Sequence, residues 1–330
     1  MKKLVNDVHN VVKETLEGFA LAHADLVEVH LDPDFVTRKT PKSEGKVGLV
    51  SGGGSGHEPL HAGFVGEGML DAAVPGAVFT SPTPDPILEA TKAADHGAGV
   101  LHIVKNYTGD VLNFETAAEM AEMDDIEVRS IVVNDDVAVE DSLYTAGRRG
   151  VAGTIFVEKL AGAAAERGDD LDAVTAVAQK TNSEMRSMGL ALGPCTVPHA
   201  GKPSFDLAED EIELGIGIHG EPGYRRGKME SADALVEELY TKVRDDLELK
   251  AGERVITLVN GMGATPSSEL YICHRRLAGL LEADGVSIAR SLVGNYVTSL
   301  EMPGVSITLL RVDDELLELF DAPVSTPAWK

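Results

Sequence analysis

Cysteine is nearly absent. Cys195 and Cys273 are the only two in 330 residues, too few for a disulfide framework. No run of 18 apolar residues occurs, which excludes a membrane-spanning helix. The start, Met1-Lys2-Lys3-Leu4-Val5-Asn6-Asp7, turns polar too early for a secretory signal. A cytoplasmic protein is expected. Positive charge is also scarce: 29 Lys and Arg stand against 54 Asp and Glu, a net of −25. That field repels phosphate backbones and anionic bilayers, so neither nucleic acid nor a membrane is an expected partner. No G-x-x-x-x-G-K-[ST] phosphate loop is present, so any nucleotide is expected on another chain.

What is present describes an ordinary globular chain, 43% apolar and 25% charged. Its length suggests two domains and a folded surface of roughly 13,000 Å². The acids are scattered, one excess negative charge per roughly 500 Å². A salt-adapted, halophilic protein is expected, because salt screens such self-repulsion.

A helix is expected over 7–24, with Val11, Val12, Leu16, Phe19 and Ala20 on one side. Apolar runs then alternate with glycine-rich or polar loops. Lys46 to Val50 leads into Ser51-Gly52-Gly53-Gly54-Ser55-Gly56-His57-Glu58-Pro59, and Ala72 to Phe79 into Thr80-Ser81-Pro82. Gly99 to Val104 leads into Lys105-Asn106-Tyr107-Thr108-Gly109-Asp110, and Val128 to Val133 into Asn134-Asp135-Asp136. Helices are expected between them, over 86–97 and 113–123. The pattern predicts an α/β fold with a mostly parallel sheet flanked by helices, and ligands at the carboxyl ends of its strands. One long helix is expected over about 154–180, and 189–203 reads as a connection. The expected domains are 1–185, with the glycine-rich loops, and 186–330, a smaller mixed α/β unit. The latter has strands near 211–218, 254–259, 286–293 and 304–311 and an amphipathic helix at 231–248.

Two motifs fail on context. His57-Glu58-Pro59-Leu60-His61 spells H-E-x-x-H, but Pro59 lets a helix start there and not run through, so the histidines face apart. Gly215 to Gly220 spells G-x-G-x-x-G, but Glu221-Pro222-Gly223 follows and no helix opens there to take a pyrophosphate. Neither a metal nor a nicotinamide cofactor is expected in this chain.

The polar groups left in the loops are His57, Lys105, Asp110 and His219. Taken singly, each has a bland reading as a structural histidine, a surface lysine or a turn carboxylate. Together, beside glycines that admit close backbone approach, they suit a small, neutral, polyhydroxylated ligand. The chain resembles the dihydroxyacetone kinase K family, of the separate-subunit type. The resemblance rests on Met1 to Val11, Gly52-Gly53-Gly54-Ser55-Gly56-His57-Glu58-Pro59, Phe79 to Pro84 and Lys105 to Asp110. It continues through Gly217-Ile218-His219-Gly220-Glu221-Pro222-Gly223, Asn260-Gly261-Met262-Gly263-Ala264-Thr265-Pro266 and Gly304 to Leu310.

The resemblance implies that His219 bonds to the carbonyl carbon of dihydroxyacetone as a hemiaminal. It implies that His57 and Asp110 contact the hydroxyls and assist transfer, Asp110 as base, and that Gly54, Ser55, Gly56, Lys105 and Ser81 line the pocket. It implies no cofactor here, but Mg²⁺ with ADP or ATP on a partner L subunit. Phosphoenolpyruvate is drawn on through a phosphocarrier M subunit, or ATP is used directly. Relatives that fuse the L domain continue beyond the K domain; this sequence stops at Lys330, so a separate subunit is expected, and the resemblance implies a homodimer. An attacking imidazole must be neutral, so activity is expected to fall well below about pH 6.5. The main alternative is a non-catalytic, dihydroxyacetone-sensing co-activator paralogue; a binder of another small carbonyl such as glyceraldehyde is a third.

Overall fold

A computed structural model describes residues 2–41, 45–140 and 145–330; Met1 of the amino-terminal match lies outside them. The accessible surface is 13516 Å², close to the expectation from mass.

The first six strands are β1 (Val27–Leu31), β2 (Asp34–Arg38), β3 (Gly48–Ser55), β4 (Ala72–Val78), β5 (Val100–Lys105) and β6 (Val128–Val133). They form one sheet in the order β1-β2-β4-β3-β5-β6. The four from β4 to β6 are parallel, and β1 and β2 add an antiparallel hairpin at the edge. β3 and β5 are buried along almost their whole length, as expected of strands covered on both faces. The covering helices include α1 (Val11–Ala22), α2 (Pro84–Ala94) and α3 (Thr108–Glu122).

The expected long helix is two: α4 (Thr154–Arg167) and α5 (Leu171–Ser183). Gly168 closes α4 in the left-handed region, φ 98°, and the Asp170 side chain accepts from Ala173 N–H to open α5. A left-handed glycine followed by a capping aspartate is a stop and a start in three residues.

The second sheet comprises β7 (Met185–Ala191), β8 (Glu211–Leu214), β9 (Arg225–Lys228), β10 (Arg254–Gly261), β11 (Ser287–Gly294) and β12 (Gly304–Arg311). Its order is β11-β10-β12-β7-β8-β9. Only β10 and β11 pair in parallel, so the sheet is mixed. The reading of 189–203 as a connection is corrected at its start. β7 runs to Ala191 in the interior of the sheet, and its Gly189 lies against Ser306 of β12. The remaining helices are α6 (Ala232–Leu247), α7 (Ser267–Ala283) and α8 (Asp314–Asp321).

α4 is buried on every side from Thr154 to Ala165, the mark of a helix at the centre of a core. Its Ile155, Phe156 and Leu160 share one apolar cluster with Ile103 of the first sheet and Ile256, Leu258 and Leu310 of the second. Next to this core, Asn260 at the end of β10 organises the loop after β11. Its Oδ1 accepts from the N–H groups of Tyr296 and Val297, both at 2.9 Å. Its Nδ2 donates to the Val297 carbonyl at 2.8 Å and to Ser306 Oγ at 3.1 Å. Asn260→Ala leaves those buried groups unpaired. It should cost about 3 kcal/mol of stability, read as a lower denaturant midpoint with an unchanged slope; a midpoint matching wild type would refute this role.

Candidate active site

The carboxyl ends of β3, β4 and β5 meet the loop after β8 around a cavity of about 650 Å³. Gly54, Phe79, Ser81, Tyr107, Asp110 and His219 are in its wall. Three rings box the His219 imidazole: Tyr107 at 4.6 Å and 90°, His57 at 4.8 Å and 77°, and Phe79 at 5.3 Å and 86°. Phe79 is left-handed, φ 58°, which costs a bulky residue about 1–2 kcal/mol. Its N–H bond to Ser55 O, 2.9 Å, and its stacking on His57 hold it there.

His57 is 1% exposed. Its Nδ1–H donates to the Thr298 carbonyl at 2.7 Å, and its Nε2 is buried with no partner among the described residues. Burial, then the charges of His219 and Lys105, hold this imidazole well below its usual range, so Nε2 is a neutral acceptor. Asp110 Oδ1 and the Tyr107 hydroxyl are likewise buried and unpartnered among the described residues. Burial, then the Glu221 carboxylate, push the Tyr107 phenol well up, so it stays a donor.

His219 is oriented by its neighbour Glu221, whose Oε2 accepts from the His219 backbone N–H at 2.8 Å and whose Oε1 lies 3.2 Å from Nδ1. Burial opposes ionisation of Glu221, but His219 and Arg149 outweigh it and hold the carboxyl down at about 2. A carboxylate there keeps the ring proton on Nδ1 and leaves the lone pair on Nε2. Arg149 is fully buried, paired with Asp136 at 2.7 Å, and donates to Gly215 O at 2.7 Å, fixing the start of this loop.

The structure thus brings His57, His219, Asp110, Gly54 and Ser81 together. Lys105 stands behind the wall, its Nζ 3.9 Å from Asp110 Oδ2. Ser55 and Gly56 are set back: Ser55 Oγ donates to Gly76 O at 2.7 Å and Gly56 N–H to the Glu58 carboxylate at 3.0 Å. The segment after Pro59 forms a turn and then one 3₁₀ turn, Ala62–Phe64, rather than the start of a helix. His57 and His61 have different partners: His57 Nδ1 meets the Thr298 carbonyl, and His61 Nδ1 lies 2.6 Å from Glu158 of α4. Sequence reasoning set His61 aside with the H-E-x-x-H motif and missed Glu158, Arg149 and the orienting role of Glu221. Of the missed groups only Glu221 carried a signal, its place two residues after His219.

A Dak1 domain model matches residues 17–328. The chain belongs to the Dak1 family. It is 54% identical over 330 residues, all of both chains, to a Listeria innocua protein named as the dihydroxyacetone-binding subunit DhaK of PTS-dependent dihydroxyacetone kinase 1. The dihydroxyacetone kinase of C. freundii, solved with AMP-PNP and Mg²⁺, matches with a TM-score of 0.91 and 35% identity. That match covers 99% of this chain and 60% of that one. The dihydroxyacetone kinase operon co-activator DhaQ matches with a TM-score of 0.90 and 40% identity, over 96% and 97% of the two chains. The likeness to Dak1 relatives thus includes a kinase subunit, a longer kinase chain and a co-activator.

In this Dak1 chain the wall at Gly54 has no room for a side chain. A Cβ there would lie 2.6 Å from Thr80 N and 2.8 Å from Phe79 C, both backbone atoms. Gly54→Ala should therefore push the two loops apart and cost about 1–3 kcal/mol. Denaturant unfolding and a crystal structure of the variant check this; an unmoved Phe79–Ser81 segment would contradict it.

Proposed function

We propose that this chain is the dihydroxyacetone-binding subunit of a dihydroxyacetone kinase. It holds the ketone on His219 as a hemiaminal while a phosphoryl group is transferred to a terminal hydroxyl. The observation that carries the reading is the set of buried polar atoms without partners beside His219: His57 Nε2, Asp110 Oδ1 and the Tyr107 hydroxyl. Buried polar groups are rarely left unpaired unless a ligand completes them.

Dihydroxyacetone has few atoms, so non-covalent affinity is limited, and glycerol offers the same terminal hydroxyls. Only the carbonyl separates the two, and a nucleophile reads it directly. Attack by Nε2 forms a C–N bond as the carbonyl π pair moves onto oxygen. That oxygen gains a proton and the ring gives up the one on Nδ1, so the adduct is neutral. Glu221 faces the positive charge the ring carries between these steps. Asp110 takes the proton of the accepting hydroxyl, His57 Nε2 accepts a hydrogen bond from the substrate, and Gly54, Ser81 and Lys105 complete the pocket. Ser55 and Gly56 act through the backbone that carries His57. Fixing the acceptor matters because phosphoryl transfer depends on position and charge stabilisation.

The phosphoryl group comes from a nucleotide with Mg²⁺ on a separate L subunit, recharged by a phosphocarrier M subunit. The subunit works as a homodimer in a salt-rich cytoplasm, in two units divided near residue 185. A second reading, a dihydroxyacetone-sensing co-activator, is favoured by the likeness to DhaQ. The presence of His57, Asp110 and His219 together favours the kinase.

His219→Ala should abolish the adduct seen by intact-protein mass spectrometry, whereas Asp110→Ala should keep the adduct and lose at least about a hundredfold in turnover. Wild-type rates in both variants would overturn the assigned roles. In host extract lacking this chain, added protein should restore product with phosphoenolpyruvate. Adduct without product from either phosphoenolpyruvate or ATP would favour the co-activator. With 54 acids against 29 bases, the melting temperature should rise with potassium chloride; a maximum in low salt would refute salt adaptation.

A further inference from the structure

Lys105 of the proposed pocket is joined to two buried ionisable side chains, His61 and Glu158, to which the proposed reaction gives no role. Lys105 is 1% exposed, and its nearest carboxylate oxygen, on Asp110, is 3.9 Å away. Its short polar contact is His61 Nε2, at 2.7 Å, with a longer bond to Gly52 O at 3.3 Å. On the other side of the ring, His61 Nδ1 lies 2.6 Å from Glu158 Oε1 and 3.0 Å from Ser51 Oγ. Ser51 spends its own proton on Ile103 O at 2.6 Å, so its oxygen is free to accept. Space for the ammonium is reserved by Gly53, where a Cβ would sit 2.3 Å from Nζ.

We propose that His61 and Glu158 are positioning residues that hold Lys105 as a charged ammonium against the substrate site. This rests on the reading of Lys105 as part of that site. An ammonium only donates, so His61 Nε2 must carry a lone pair and Nδ1 the proton. Glu158 and Ser51 both accept from Nδ1–H, which fixes that tautomer. Burial pushes the Glu158 carboxyl well above its usual range, and the Lys105 ammonium opposes that; ionised, Glu158 balances the Lys105 charge from the far side of the ring. Asp110 then keeps only a long ion pair with Lys105, 3.9 Å through Oδ2, and its Oδ1 stays open for a substrate proton. The ionisable groups that act on Lys105 are Asp110 from α3, Glu158 from α4, and His57 and His61 from the segment after β3. Burial pulls the Lys105 ammonium toward losing its proton, and Asp110 and Glu158 oppose that. Removing the Glu158 charge therefore lets Lys105 deprotonate at lower pH.

The test is the pH dependence of dihydroxyacetone binding to this chain alone, by titration calorimetry. Glu158→Gln keeps the shape and removes the charge. Its binding should fail at a pH lower than wild type by about one unit or more, while Glu158→Asp stays near wild type. A folded Glu158→Gln with the wild-type profile would overturn the proposal. If Glu158→Gln does not fold, ¹⁵N NMR of His61 in the wild type decides: a proton on Nδ1 with Nε2 bare supports it, and a proton on Nε2 overturns it. Lys105→Ala separates the two readings. Wild-type binding by Lys105→Ala would remove Lys105 from the site and sink this proposal with it. Loss of binding there, beside a wild-type profile in Glu158→Gln, would sink the positioning role alone.

Discussion

A hydrogen bond of 2.7 Å from His57 Nδ1 to the Thr298 carbonyl joins the glycine-rich loop of the first sheet to the loop after β11 of the second. It does two things at once. It fixes the His57 tautomer, so that Nε2 is the acceptor, and it sets the distance between the loops that carry the site. The contact is reinforced on either side: Thr298 N–H donates to His57 O at 3.2 Å, and Leu300 N–H to Gly56 O at 2.7 Å. The Thr298 loop is in turn held by Asn260. A perturbation of β10 is thereby felt at His57 and, through ring contact, at His219.

Absent side chains make the rest possible. Gly54 lets the ends of β3 and β4 touch, and Gly53 yields its Cβ position to the Lys105 ammonium. Into this closely packed frame the chain places buried charged pairs. Arg149 meets Asp136 and Lys46 meets Asp71 at 2.5 Å. Breaking one member of such a pair leaves a buried charge without compensation. These pairs therefore act as constraints on geometry rather than as sources of stability.

The parallel sheet and its loaded loops were legible because glycine and proline punctuate them and apolar runs precede them. The site's main groups followed, since each sits just past a strand end or in a glycine-rich loop. What escaped was of two kinds. β7 was read as part of a connection because a strand covered on both faces, with Gly189 inside it, lacks the alternation that marks half-buried strands. The long helix was taken as continuous because small residues run past Gly168, whose left-handed turn outweighs them. Glu158, Arg149 and Thr298 escaped for a different reason. Each lies on an element remote in sequence, and only the fold reveals that a charge in α4 faces a histidine 97 residues away.

The central claim is that a carbonyl carbon becomes bonded to one nitrogen of one histidine. The direct measurement is NMR of dihydroxyacetone labelled with ¹³C at the carbonyl, bound to protein labelled with ¹⁵N in histidine. The account predicts a tetrahedral carbon signal with one-bond coupling to Nε2 of His219. A bound ketone or its hydrate, showing no coupling to any histidine nitrogen, would contradict it.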